Sequence, residues 1–119
     1  RKFPLKFHPF GGAQFWSLHY KHALLITQFL KQNPSFLRFF KYVFVPDEIL
    51  IQTLAGNIID NNELVNRTLH FLEWDRPGAV LIKTDMDSIK ITEHLYARKF
   101  DRSIDAEVIN IIDAELLYR

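Results

Sequence analysis

Five prolines decide what this chain can fold into before any other feature acts. Proline locks φ, has no amide proton and pushes the residue before it out of the helical region, so no helix runs unbroken through Pro34, Pro46 or Pro77. Helices are confined to the stretches between them. Pro4 and Pro9 discourage a helix over Arg1–Phe10, which reads as an extended or irregular arm with alternating Phe3, Leu5 and Phe7 on one buried face. The arm lacks an initiator Met and reads as entering from elsewhere, as in a fragment. Gly11-Gly12 then punctuates the chain, and Ala13–Leu18 reads as a short strand rich in aromatic residues.

From Tyr20 to about Phe44 the apolar residues Leu24, Leu25, Phe29 and Leu30 recur at helical spacing, and Asn33-Pro34 breaks the run into two helices. Pro46-Asp47-Glu48 before Ile49-Leu50-Ile51 is a helix start: proline suits the first turn, and acids favour the positive end of the dipole. That helix carries Ile49, Leu50 and Leu54 inward and ends at Gly56-Asn57. Asp60-Asn61-Asn62 makes a polar turn. Leu69, Phe71 and Trp74 fit a strand that leads to a turn at Pro77-Gly78, then to the apolar run Ala79–Ile82. Asp85 or Asp87 caps a helix reaching about Leu95. Asp105 opens a terminal amphipathic helix through Val108, Ile109, Ile111, Ile112, Leu116 and Leu117 that packs back on the body. The expected class is α+β, a few short strands packed with several helices.

With 119 residues, 48% of them hydrophobic, a core is attainable without covalent staples. The absence of cysteine excludes disulfides and thiolate metal sites and suits a reducing compartment. A net charge of +1, its basic residues scattered among acidic ones, leaves no footprint for nucleic acid. No apolar run approaches the ~20 residues that span a bilayer, and no signal-peptide pattern opens the chain. His8, His19 and His22 invite a metal, but a ligand set needs three or four convergent groups and His19 and His22 straddle a strand-to-helix junction, so exposed or capping roles fit better.

Four residues carry chemistry, each with an ordinary alternative. Glu48 caps its helix or serves as a base. Trp74 fills a core or offers a flat face on which a sugar ring stacks. Arg76 is a solvated turn residue or a planar fork for phosphate oxygens. Lys99, beside Arg98, belongs to a solvated loop or neutralises a diphosphate.

Taken in order, Gly11–Trp16, Tyr42–Glu48 with Pro46-Asp47-Glu48, Asp60-Asn61-Asn62, Trp74-Asp75-Arg76 and Ala97-Arg98-Lys99-Phe100-Asp101 resemble the core-2/I-branching N-acetylglucosaminyltransferase and peptide O-xylosyltransferase family. The resemblance runs from about Gly11 to the terminal helix. It implies an inverting glycosyltransferase with a GT-A-like fold that moves a sugar from a UDP-sugar to an acceptor hydroxyl, without a metal or other cofactor. On that resemblance Glu48 is the catalytic base, Lys99 and, more loosely, Arg76 bind the donor diphosphate, and Trp74 borders the acceptor. Residues 1–119 then form the C-terminal acceptor and leaving-group part, whose partner is a missing N-terminal nucleotide-binding half, and the fragment alone is not expected to turn over. Lack of cysteine points to a bacterial, cytoplasmic relative; a eukaryotic one would be membrane-anchored in the Golgi lumen. His70 departs from the family, standing where an Arg often precedes the Trp. The rival expectation is a non-catalytic carbohydrate-binding or protein-interaction module, with Glu48 only capping and Trp74 in the core.

Overall fold

Phenylalanine rings organise the first part of the molecule. The computed structural model describes residues 2–117, Leu117 by its backbone alone, and the chain divides into two units, Arg1–Arg67 and Thr68–Arg119. In the first, α1 (Tyr20–Gln32) and α2 (Pro34–Phe40) meet at the expected Asn33-Pro34 break, and α3 (Leu50–Ile58) completes a three-helix frame. Ile26, Phe36, Phe40, Leu54 and Ile59 are buried at its centre. Phe3 and Phe7 pack on them, edge-to-face with Phe36 at centroid distances of 6.3 and 5.6 Å. Each buried Phe side chain is worth roughly 1.5–3 kcal/mol of transfer free energy, so these rings supply much of what holds the unit together.

Several helical readings shift in detail. Leu24 and Leu25 are exposed; the inward face of α1 is set by His22 and Ile26, one register away. Leu5 does not join Phe3 and Phe7, because Pro4–Lys6 forms a single 3-10 turn with Leu5 at φ 57°, which swings its side chain into solvent. The second helix ends at Phe40, not near Phe44. Ala13–Leu18 is not a strand: no ladder partner lies beside it among the described residues, and Gly11–Ser17 are exposed. The three histidines have separate duties. His19 caps α1 by accepting from the Lys21 amide at 3.2 Å, His22 meets the Glu63 carboxylate at 2.7 Å, and the main chain of His8 bonds to Asn57.

The arm has no strand to pair with, and α3 supplies the partners instead. Asn57 accepts from the His8 amide and donates to its carbonyl, at 3.1 and 2.8 Å. One turn earlier, the Thr53 hydroxyl accepts from the Phe10 amide and donates to the Phe10 carbonyl, at 3.0 and 3.1 Å. Gln52 extends the row to the carbonyls of Ala13 and Gly12. Gly56 marks the closest approach, since a Cβ there would lie 2.6 Å from the Phe10 ring. The sequence reads Gly56 as a helix end, yet the helix continues to Ile58 and the glycine makes room for the arm.

In the second unit, β1 (His70–Phe71) and β2 (Tyr96–Ala97) pair in parallel, His70 opposite Tyr96 and Phe71 opposite Ala97. Parallel neighbours need a crossover, and it carries α4 (Met86–Ile91). The expected longer strand through Trp74 therefore shrinks to two residues. Arg76–Ala79 forms the expected turn, with Gly78 at φ 75°, ψ −2° and the Ala79 amide bonded to the Arg76 carbonyl at 3.0 Å; only glycine occupies that position of a type II turn without strain. Ala79, Leu81, Met86 and Val108 form the buried centre. Asp105 caps α5 (Ala106–Ile112) as the sequence indicates, accepting from the Glu107 and Val108 amides, and its other oxygen takes the Lys83 amide at 2.7 Å. Leu116 is exposed, and the Leu117 side chain lies outside the described residues. The mixture of helices with a two-stranded parallel sheet agrees with an α+β class. No helix among the described residues is long and apolar enough to cross a membrane.

Thr53 is fully buried and both of its bonds go to the arm, so Thr53→Val should lower the unfolding free energy by about 1–3 kcal/mol at nearly constant volume. Chemical denaturation measures this, and a loss below experimental error would contradict the arm's dependence on α3.

Candidate active site

Glu48 sits on a turn shaped by its neighbours. Pro46–Glu48 is one 3-10 turn rather than the first turn of α3, and Ile49 at φ −128°, ψ −38° separates the two. No side chain caps α3, so the capping expectation for Glu48 fails. Val45, directly before the turn, is a β-branched residue at φ 48°, ψ 57°, a left-handed conformation that costs about 1–3 kcal/mol and that surrounding structure must enforce. The enforcing contacts are visible. The Gly12 amide donates to the Glu48 carbonyl at 2.9 Å, and the Gln52 amide group donates to the Asp47 carbonyl at 3.1 Å while also holding Ala13 at 2.7 Å. A Cβ on Gly12 would come within 3.2 Å of the Gln52 side chain, so glycine lets the strap lie this close. The Glu48 backbone is thus pinned while its side chain is exposed, and no donor among the described residues holds its carboxylate.

The other three residues belong to the second unit. Trp74 is 75% exposed, so it is not the core residue that its type suggests. Arg76, half-buried, makes a two-pronged ion pair with Asp85: Nη1 donates to Oδ2 at 2.6 Å, Nη2 donates to Oδ1, and Nη1 also donates to the Val80 carbonyl at 2.9 Å. Asp85 is buried and takes the Ile82 amide as well, at 2.8 Å. It stands at the start of α4, but its carboxylate turns to Arg76 and Ile82 instead of capping that helix. The Arg76 guanidinium, and then the Ile82 amide, hold the Asp85 carboxyl below the usual carboxylate range, and Arg76 is raised in turn. Lys99 is exposed at its side chain and fixed at its backbone: its amide donates to the Ala79 carbonyl at 3.2 Å, and its carbonyl accepts from the Leu81 amide at 2.7 Å. Arg76 and Lys99 therefore meet the same short segment, Ala79–Ile82. No group of three or more His, Asp or Glu side chains converges to hold a metal among the described residues.

The sequence profile of core-2/I-branching enzymes matches residues 1–101, most of the chain. The chain belongs to the core-2/I-branching enzyme family. No curated protein and no solved structure matches it. Core-2/I-branching enzymes are glycosyltransferases, so a sugar donor and an acceptor are implied in general terms. The matched stretch holds Glu48, Trp74, Arg76, Lys99 and the whole arm, and it stops before α5. Sequence reasoning gave Gln52 no part in the site, although a Gln-Thr pair interrupting the apolar run Ile49–Leu54 was a signal that this face meets something polar. The sequence marks Asp85 or Asp87 as a helix cap and gives no sign of the pairing with Arg76.

The Asp85 shift has a definite sign for stability. An aspartate whose pKa is depressed on folding stabilises the folded state above its unfolded pKa, and that contribution is lost as pH falls through the folded value. Unfolding measured across acid pH should show stability decline below about pH 4, with a shallower decline in Asp85→Asn. Equal slopes in the two proteins would contradict the pairing.

Proposed function

We propose that this chain forms the acceptor and leaving-group part of an inverting glycosyltransferase with a GT-A-like fold, which moves a sugar from a UDP-sugar to an acceptor hydroxyl without a metal. The observation that carries the reading is the pinned turn bearing a free carboxylate at Glu48. A base for such a transfer must be unpaired and carried on a fixed stretch of backbone, so that it takes the acceptor proton as the oxygen attacks the anomeric carbon. Glu48 meets these needs better than any carboxylate committed to an ion pair, such as Glu63 or Asp85. At the opposite end of the reaction, negative charge builds on the departing diphosphate, and a preorganised cation stabilises it in place of a metal. Lys99, fixed at both its amide and its carbonyl, supports that role, with Arg76 beside the same segment. The exposed Trp74 ring suits stacking against an acceptor sugar.

In the intact protein, Glu48→Gln should lower kcat for sugar transfer by about 10²–10⁴-fold and leave UDP affinity within about twofold of wild type. Wild-type turnover in that variant removes the base assignment. Trp74→Ala should raise the acceptor KM by about tenfold at unchanged donor KM, as expected when a stacking face worth about 1–2 kcal/mol is lost. Acceptor kinetics identical to wild type would exclude Trp74 from the acceptor site.

A further inference from the structure

We propose that Asp85 is a positioning residue for the cationic side of the donor site, fixing the Arg76 guanidinium and the backbone that holds Lys99. This rests on the reading of Lys99 and Arg76 as residues that face the donor diphosphate. A guanidinium has five N–H donors in a rigid fork. Two of them go to the Asp85 carboxylate and a third to the Val80 carbonyl, which leaves the plane of Arg76 a single orientation. The same carboxylate takes the Ile82 amide, so Asp85 and Arg76 together clasp Val80–Ile82 from two sides. Lys99 is bonded to the residues flanking Val80, through Ala79 and Leu81. A buried carboxylate and the backbone of an exposed lysine are therefore both hydrogen-bonded to one short stretch of chain, Ala79–Ile82.

This arrangement divides two tasks. Asp85 neutralises Arg76, and the Glu73 carboxylate lies 4.0 Å from Nη2, so this cluster adds no net positive charge, and what Arg76 offers an anion is its remaining donors in fixed directions. Lys99 is an exposed ammonium with no side-chain partner among the described residues, and it carries the positive charge that a diphosphate feels. Without Asp85, Arg76 would keep its charge and lose its orientation. A carboxylate near a phosphate site usually weakens anion binding by repulsion; here its removal should weaken binding, because orientation is lost with it.

The test compares UDP with uridine, which lacks the diphosphate, as probes in calorimetry on the intact protein, alongside thermal melts. Asp85→Asn should weaken UDP binding by about tenfold, the loss of one charged hydrogen-bonded contact, with uridine affinity unchanged. In an Arg76→Met background the same substitution should cause no further loss, because Asp85 acts through Arg76. A purely structural role would weaken UDP and uridine together and in both backgrounds, and that result overturns the proposal. Should Asp85→Asn fail to fold, Asp85→Glu keeps the charge and displaces it by one methylene; it should weaken UDP by about threefold with uridine unchanged, and wild-type UDP affinity would overturn the proposal. Lys99→Met separates the two levels of the argument. If it weakens UDP while Asp85→Asn does not, the role of Asp85 fails and the diphosphate reading stands. If Lys99→Met binds UDP as wild type does, the diphosphate reading fails and takes the role of Asp85 with it.

Discussion

A segment that forms neither helix nor sheet still needs partners for its amides and carbonyls, and in this fold side chains tie down several such segments. Among the described residues the sheet consists of two strands of two residues each, too little to pair the long irregular segments. Asn57, Thr53 and Gln52 therefore do for the arm what a neighbouring strand would do, each bonding main-chain groups of His8, Phe10, Gly12 or Ala13. In the second unit aspartates have the same duty. Asp85 takes Ile82, and Asp105 takes Lys83 together with the first amides of α5.

Such construction suits a catalytic site. Segments fixed by side chains need not run straight, so a turn such as Pro46–Glu48 can project a carboxylate outward while its carbonyls stay anchored at Gly12 and Gln52. The strained Val45 conformation fits that picture, since strain persists only where neighbouring contacts over-determine the backbone. Lys99 repeats the pattern with main-chain partners: a fixed backbone and an exposed charge. Rigid placement of a few unpaired groups on a supported frame is what catalysis of group transfer requires.

The sequence reveals features that depend on local chemistry. The break at Asn33-Pro34, the Asp60 turn, the Pro77-Gly78 turn and the Asp105 cap are each determined by residues within a few positions, and each is present. Features that depend on distant partners are harder to read. Ala13–Leu18 has the composition of a strand but joins no sheet among the described residues, and Leu24 and Leu25 match a helical stripe that the actual core leaves outside. The candidate site divides in the same way. The order of the short motifs identifies the family and points to Glu48, Trp74 and Lys99, but the bond of Asp85 to Arg76 spans nine residues and the bond of Gln52 to Gly12 spans forty. No periodicity or motif encodes such contacts.

The proposed transfer is a direct displacement: a base takes the proton of the acceptor hydroxyl as its oxygen bonds to the anomeric carbon, and the bond from that carbon to the diphosphate breaks in the same step. Its most direct test is the anomeric configuration of the newly transferred sugar, read by proton NMR on product formed by the intact protein from an α-linked UDP-sugar. The account predicts a β-linked product from the first turnover. An α-linked product would contradict it, because retention requires a covalent intermediate or same-face departure that a lone base at Glu48 does not provide.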